Sequence, residues 1–147
     1  MEKLDNLYKK AYDIAVKAHA GQFDKGGHPY IEHPVAVAAC METAELKIIA
    51  MLHDTLEDSC LTAEDLRREG FSERIVGAVL AMTHKGDDRE DYLKYIEKVA
   101  ENPLAVIVKR ADIWHNMDIS RIKEPTERDF ERLDKYRKAL EILNKCN

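Results

Sequence analysis

Apolar residues recur at helical spacing along most of the chain, and glycine, proline and capping residues separate the runs. Leu7, Ala11 and Ile14 lie three or four positions apart, which is the spacing of one helix face. Residues near 5 to 20 are therefore predicted to form an amphipathic helix that stops at Gly21.

The stretch GQFDKGGHPYIEHP interrupts this pattern with two adjacent glycines and two prolines, which predicts an irregular loop. Pro34 suits the first position of the next helix, because its missing N–H would have no partner within the helix there. His33 then lies at the mouth of that helix.

Five further stretches continue the helical periodicity, and capping residues separate some of them. Thr62 and Asp65 resemble a capping box that opens a short helix ended by Gly70, and Ser72 caps the helix after it. The five stretches are LKIIAMLHDTLED, SERIVGAVLAMTH, REDYLKYIEKVA, PLAVIVKRADIWHNM and TERDFERLDKYRKALEIL. Because no segment alternates convincingly as a strand, we predict a compact all-α bundle of about six to eight helices. Residues 1–147 suit a single domain.

Charge and cysteine content narrow the classes of partner. The formal net charge is −5, and positive and negative residues are mixed along the chain. We therefore expect no nucleic-acid binding through a basic face. No run approaches the roughly 18 apolar residues of a membrane span. The cysteines lie far apart with no CxxC pair, which argues against a disulfide framework or thiolate zinc site. We therefore expect a cytoplasmic protein, whose oligomeric state the sequence leaves open.

The stretch LHDTLED places a histidine and three carboxylates at the end of an apolar run. On a helical projection the four polar groups fall within about a 140° arc, which begins on the apolar stripe of the same helix. They are His53, Asp54, Glu57 and Asp58. Burial of carboxylates requires a cationic partner, a shifted pKa or a metal ion. A positive charge is therefore expected beside them.

A second helix mixes apolar and polar groups on one face, and we expect it to pack against the first. Its face residues are Val108, Lys109, Asp112, His115 and Asn116. Two imidazoles and two carboxylates would then be available to bind a divalent transition metal with coordination sites left for water. These candidate ligands are His33, His53, Asp54 and Asp112. A buried histidine held by salt bridges explains the same residue types, so both interpretations stay open at this point.

The motifs HPYIEHP, LHDTLED and KRADIWHNM, in this order, resemble the hydrolase domain of the RelA/SpoT family within the HD superfamily of metal-dependent phosphohydrolases. The similarity extends from AYDIAVKAHAGQ through Asn116, and RLDKYRKAL resembles the closing helix of that family. The resemblance implies that the four candidate ligands bind a metal, usually manganese. It places Glu57 and Asp58 beside that metal as the catalytic acidic pair, and Asn116 and Tyr136 against the substrate.

The activity implied by the resemblance is removal of pyrophosphate from the 3′ position of guanosine tetraphosphate. The products would be GDP and pyrophosphate, and we expect no synthesis because 147 residues leave no room for a synthetase domain. The phosphates of such a nucleotide require positive charge, for which Lys25, Lys85 and Lys109 are candidates. Tyr30 lies in the motif loop and is placed at the substrate pocket.

Two acidic residues depart from the alarmone-hydrolase pattern. Asp24 precedes Lys25 where those enzymes read RK, and KRADIWHNMD ends on Asp118 where they read KLADRLHNMR. An acid in place of a base-stacking arginine predicts weak or unselective binding of the alarmone. An HD phosphohydrolase acting on another nucleotide or a phosphomonoester is therefore an alternative, as is a catalytically silent metal-binding or nucleotide-binding module.

Overall fold

The structure is a computed structural model that describes residues 2–84, 92–122 and 124–145. Within these ranges the chain forms α-helices and one short 3-10 helix, Ile119–Arg121. The α-helices are α1 (Glu2–Ala18), α2 (Glu32–Ala39), α3 (Ala44–Leu52), α4 (Thr55–Asp58), α5 (Ala63–Arg68), α6 (Glu73–Ala81), α7 (Tyr92–Val99), α8 (Pro103–Asn116) and α9 (Glu127–Asn144).

Helix α3 lies at the centre of the bundle and packs against α1, α2, α6 and α8. It is apolar on almost every side, and Ile48, Ile49, Met51 and Leu52 are fully buried. The described residues contain no β-strand, so the predicted all-α bundle is confirmed. None of their helices has the length and apolar character needed to cross a membrane.

The predicted caps occupy their expected places. Thr62 and Asp65 form a capping box at α5, and the Ser72 hydroxyl accepts a hydrogen bond from the backbone N–H of Ile75 at α6. The stretch PLAVIVKRADIWHNM is helical from Pro103 to Asn116 as predicted, and Asn102 caps this helix, α8. Local capping thus fixes several of the helix starts.

Two predicted helix boundaries are wrong. Helix α2 begins at Glu32, so Pro34 is its third residue rather than its first; the first turn tolerates proline because N–H groups there have no helical partner. The stretch LKIIAMLHDTLED is not one helix but α3 followed by the single turn α4. The 140° arc, which assumes a continuous helix, therefore does not describe the site.

Side chains cause the break between α3 and α4 by competing for backbone carbonyl groups. His53 Nδ1 lies 2.5 Å from the carbonyl oxygen of Ala50, and the Thr55 hydroxyl donates to that of Leu52 at 2.8 Å. These carbonyls would accept backbone N–H groups in an uninterrupted helix. The chain turns at His53 and Asp54 as a result.

Candidate metal centre

Four side chains from three segments meet at this turn. Helix α2 supplies one histidine, the turn supplies a histidine and an aspartate, and α8 supplies a second aspartate. One nitrogen or oxygen atom of each lies within 4.8 Å of those of the other three. The residues are His33, His53, Asp54 and Asp112. The structure thus brings together the four residues that the sequence predicts as metal ligands.

The shortest contact within the cluster involves the buried carboxylate of Asp112. Its Oδ1 lies 2.6 Å from His33 Nε2 and 3.3 Å from His53 Nε2. Asp54 Oδ2 lies 3.1 Å from His53 Nε2 and 3.9 Å from His33 Nε2. Imidazole nitrogens and carboxylate oxygens, which bind divalent transition metals, therefore converge on one small region.

The hydrogen bonds of the two histidines suit metal ligands. The Ala50 carbonyl can only accept, so His53 Nδ1 carries a proton there and Nε2 is the ring nitrogen that faces the carboxylates. His33 Nδ1 lies 2.6 Å from His115 Nδ1, so His115 holds the His33 ring from outside the cluster. A histidine ligand usually makes such an outer hydrogen bond, which orients the ring.

The charges of the cluster favour a cation. Burial opposes protonation of His53, but Asp54 and Asp112 outweigh it and hold the imidazole pKa well above its ordinary value. Burial also opposes ionisation of Asp54, yet His53 lowers the pKa of that carboxyl to about 2. The pKa of Asp112 lies well below its usual range despite burial, because Lys109 and His53 are close. A divalent cation would compensate both carboxylates, so the residues fit a metal.

Three further predicted site residues hold the cluster from its edge. Lys109 Nζ donates to Asp112 Oδ2 at 2.7 Å, and Asn116 Nδ2 donates to Asp112 Oδ1 at 3.2 Å. The Tyr30 hydroxyl donates to Asp54 Oδ2 at 2.6 Å. All three are predicted from the sequence as substrate contacts. The Lys109 side chain is largely buried and is already paired with Asp112.

The acidic pair Glu57 and Asp58 lies on α4, directly after the turn. Glu57 accepts a hydrogen bond from the backbone N–H of His84. Burial raises the pKa of Glu57 to about 7; the His84 N–H opposes this rise and the charge of Asp54 adds to it. Burial also raises the pKa of Asp58, whose Oδ2 lies 3.7 Å from His19 Nδ1. Glu57 can therefore exchange a proton near neutral pH.

A cavity of about 360 Å³ opens beside the cluster. Its inner end is formed by residues that contact three of the candidate ligands. These residues are Tyr30, His115 and Asn116. Lys25 and Tyr136, both predicted as substrate contacts, also line the cavity, together with Arg132. Lys85, another predicted phosphate contact, lies outside the described residues.

Asp129, at the start of α9, connects two cations of this cavity. Its Oδ1 lies 3.4 Å from Lys25 Nζ and 3.4 Å from the Arg132 guanidinium. Its Oδ2 accepts the backbone N–H of Thr126 at 2.8 Å in a capping box. The Asp129 side chain is only 7% exposed, so it holds both cations from the protein interior while they line the cavity.

Sequence reasoning missed Asp129, Arg132 and Phe23, which also lines the cavity. Charged residues spaced three apart on a long polar helix resemble a solvated face, and nothing local distinguishes Arg132 from its neighbours. One signal was available, since Thr126 and Asp129 have the spacing of a capping box. His115, which the sequence leaves without a role, lies against His33.

Comparison with known proteins gives the chain its relatives. No family model matches it. It is 37% identical over 121 residues to the guanosine-3′,5′-bis(diphosphate) 3′-pyrophosphohydrolase of Aquifex aeolicus, covering 74% of this chain and 17% of that protein. It is 33% identical over 123 residues to the bifunctional (p)ppGpp synthase/hydrolase SpoT of Escherichia coli, covering 74% and 17%. The chain belongs to the RelA/SpoT family.

A solved structure shares the fold of this RelA/SpoT-type chain. It is a metazoan SpoT orthologue described as hydrolysing ppGpp and playing a role in starvation responses. The TM-score is 0.82 at 24% sequence identity, and the match covers 96% of this chain and 87% of that one. The HD-domain bundle expected from the sequence is therefore confirmed.

The RelA/SpoT-type chain spans about one sixth of the length of its curated relatives, 17% in the case of the Aquifex aeolicus protein. The names of these relatives differ in the reaction that they give. Some are named as pyrophosphohydrolases of the tetraphosphate, others as GTP pyrophosphokinases, and the Escherichia coli protein as a bifunctional synthase/hydrolase. The names of the relatives thus include both hydrolysis and synthesis of (p)ppGpp.

Proposed function

We propose that this domain is a metal-dependent phosphohydrolase that cleaves the 3′-pyrophosphate from guanosine tetraphosphate, giving GDP and pyrophosphate. The observation that carries the proposal is the four-residue cluster, with the Glu57–Asp58 pair on the adjacent α4 and a cavity lined by two cations at its edge. The relatives named as 3′-pyrophosphohydrolases of this nucleotide support the same substrate.

His33, His53, Asp54 and Asp112 would hold the metal. When bound, the ion supplies Lewis-acid chemistry, since it makes water more acidic and offsets negative charge on phosphate oxygens. Two imidazoles with two carboxylates suit several first-row metals. We propose manganese because the resemblance to the family implies it.

The other residues of the site would bind the substrate and move protons. Lys25 and Arg132 attract its phosphates into the cavity, and Tyr136 and Asn116 position it. Glu57 accepts a proton from the water that attacks the phosphorus nearest the ribose. The bond between that phosphorus and the 3′ oxygen breaks, and the leaving oxygen takes up a proton to become a hydroxyl group. Asp58 would assist by orienting the water.

The test is hydrolysis by the purified chain with and without Mn²⁺, using guanosine tetraphosphate and identifying every product. We expect equal amounts of GDP and pyrophosphate, released only with the metal. Release of single phosphates, or of a nucleotide other than GDP, would contradict 3′-pyrophosphate cleavage. Metal binding without hydrolysis of any nucleotide tested would instead favour a catalytically silent binding module.

An HD phosphohydrolase acting on another nucleotide or a phosphomonoester is the second candidate. It is favoured by Asp24 and Asp118, both of which line the cavity where the alarmone-hydrolase pattern has arginines. A site with fewer cations loses more affinity for a substrate with four phosphates than for a substrate with fewer phosphates. A panel of nucleoside mono-, di- and triphosphates in the same assay distinguishes the two candidates.

Replacing Asp129 with asparagine is expected to weaken substrate binding rather than chemistry. The variant removes the charge that holds Lys25 and Arg132, so both cations become less well positioned for phosphate. We expect KM to rise roughly 2-fold to 10-fold, the range of such charge pairs, with kcat nearly unchanged. Asp134→Asn, which removes an exposed partner of Lys138 on the same helix, is the matched control. A fall in kcat at constant KM would rule out this role for Asp129.

Two further expectations accompany the function. We propose a single domain over residues 1–147, and a cytoplasmic location without nucleic-acid or membrane partners. The thiols of Cys40 and Cys60 are free, which supports a reducing compartment.

A further inference from the structure

The loop before α2 forms a short antiparallel turn that lines the cavity. The Tyr30 N–H donates to the Gln22 carbonyl at 2.9 Å, and the Asp24 N–H donates to the His28 carbonyl at 2.8 Å. Phe23 lies between these two hydrogen bonds and forms a β-bridge with the residue opposite. The backbone of Phe23 is therefore fixed from both sides.

The side chain of Asp24 serves this loop. Its Oδ1 accepts the backbone N–H groups of Gly26 and His28, each at 2.9 Å, and lies 3.5 Å from His28 Nδ1. Asp118 behaves similarly, because its Oδ1 accepts the backbone N–H of Ser120 in the 3-10 helix at 3.1 Å. The two acids that depart from the alarmone-hydrolase pattern thus cap local turns. Residue 24 offers no group for stacking on a base.

Phe23 offers that group instead. Phe23 lines the cavity and is 64% exposed. Ile122 lines the same cavity and adds a second apolar surface. An exposed aromatic face on a rigid turn gains free energy when a flat aromatic ligand covers it.

The contacts of the residues that line the cavity indicate which part of a nucleotide reaches Phe23. The inner end touches the candidate metal ligands through Tyr30, His115 and Asn116. Phosphates belong at that end and beside Lys25. Phe23 makes none of these contacts, so the base is left for the part of the cavity that Phe23 lines. We propose that Phe23 is the base-stacking residue of this chain, an inference that rests on the nucleotide hydrolysis proposed above.

Recognition by stacking has a consequence for specificity. Every nucleobase has a π-face, so a phenylalanine contact holds purines without reading the groups at their edges. We therefore expect this chain to discriminate poorly between guanine and adenine nucleotides with the same phosphates.

The experiment compares wild type, Phe23→Ala, Phe23→Trp and Phe130→Ala on guanosine tetraphosphate, its adenosine counterpart and a base-free ribose analogue with the same phosphates. Phe130 is the matched control, since it is 52% exposed on α9. Phe23→Ala should raise KM about 5-fold to 150-fold for both nucleotides, the range for loss of one base–aromatic stack, and leave the base-free analogue unchanged. Phe23→Trp should keep KM close to the wild-type value, because it keeps an aromatic ring at this position. Phe130→Ala should leave KM unchanged.

An unchanged KM in Phe23→Ala would overturn the proposal, as would an equal loss on the base-free analogue, which would indicate a distorted loop. Equilibrium binding of GDP and ADP, measured by calorimetry without turnover, separates this inference from the proposed activity. If no tetraphosphate is hydrolysed, weaker binding of both nucleotides to Phe23→Ala still supports stacking, and equal binding still refutes it.

Discussion

Asp54→Asn and His53→Ala are expected to lose the metal that the wild type binds at about one ion per chain. Each variant removes one of four ligand atoms drawn from three separate segments, and such an incomplete set binds far more weakly. Hydrolysis should fall by about 1000-fold or more, since the metal contributes several kcal/mol to transition-state stabilisation. Elemental analysis after gel filtration measures the metal content, and circular dichroism checks that the helices remain.

Asp112→Asn is a less clean variant of the same kind. Lys109 is buried against Asp112 at 2.7 Å, so loss of the carboxylate leaves a buried ammonium group without its partner. We therefore expect Asp112→Asn to lose stability as well as metal, whereas Asp54→Asn loses mainly metal. Titration with Mn²⁺ should raise the melting temperature of the wild type and not that of Asp54→Asn. His28→Ala, on the exposed loop, is the control; a wild-type response in Asp54→Asn would remove Asp54 from the ligand set.

The parts of the site predictable from the sequence are those encoded by short-range patterns. The four candidate ligands are predictable because each lies in a short motif of the sequence. They are His33, His53, Asp54 and Asp112. Capping signals such as Thr62 with Asp65 are likewise confined to a few residues. These patterns require no knowledge of how distant helices pack.

The missed features depend on competition or on contacts between distant segments. The break after Leu52 arises because the His53 and Thr55 side chains take carbonyl groups from the helix, which helical periodicity cannot register. Asp129 acquires its role from Lys25, more than a hundred positions earlier in the chain. The sequence shows only that Asp24 is acidic. Its role as a cap of the loop is visible only in the hydrogen bonds that its carboxylate accepts.

Glu57→Gln and Asp58→Asn are expected to keep the metal and to lower kcat by roughly 100-fold or more, the scale of lost general acid–base catalysis. Neither residue belongs to the four-residue cluster, so metal content should match that of the wild type. Glu97→Gln, exposed on α7, is the control for removing a carboxylate. Loss of metal in either variant would reassign that residue as a ligand, and wild-type turnover would remove it from the mechanism.

The pH dependence tests Glu57 more sharply. Burial raises its pKa to about 7 from an ordinary 4.5. In the metal-free protein the folded state therefore holds this proton over a pH range where the unfolded chain has lost it. The contribution of Glu57 to the free energy of unfolding should fall as pH rises from 4.5 to 7. The difference in stability between wild type and Glu57→Gln, measured by urea denaturation at several pH values, isolates this slope.

Activity should change with pH in the opposite direction. A general base must be ionised, so kcat should rise with pH as Glu57 loses its proton. A divalent cation near Asp54 offsets the negative charge that helps to raise the Glu57 pKa, so the midpoint of the rise should lie below about 7 in the metal-loaded enzyme. Glu57→Gln should abolish this rise, whereas Glu97→Gln should retain it. A rise with the same midpoint in Glu57→Gln would belong to another group, and Glu57 would not be the base.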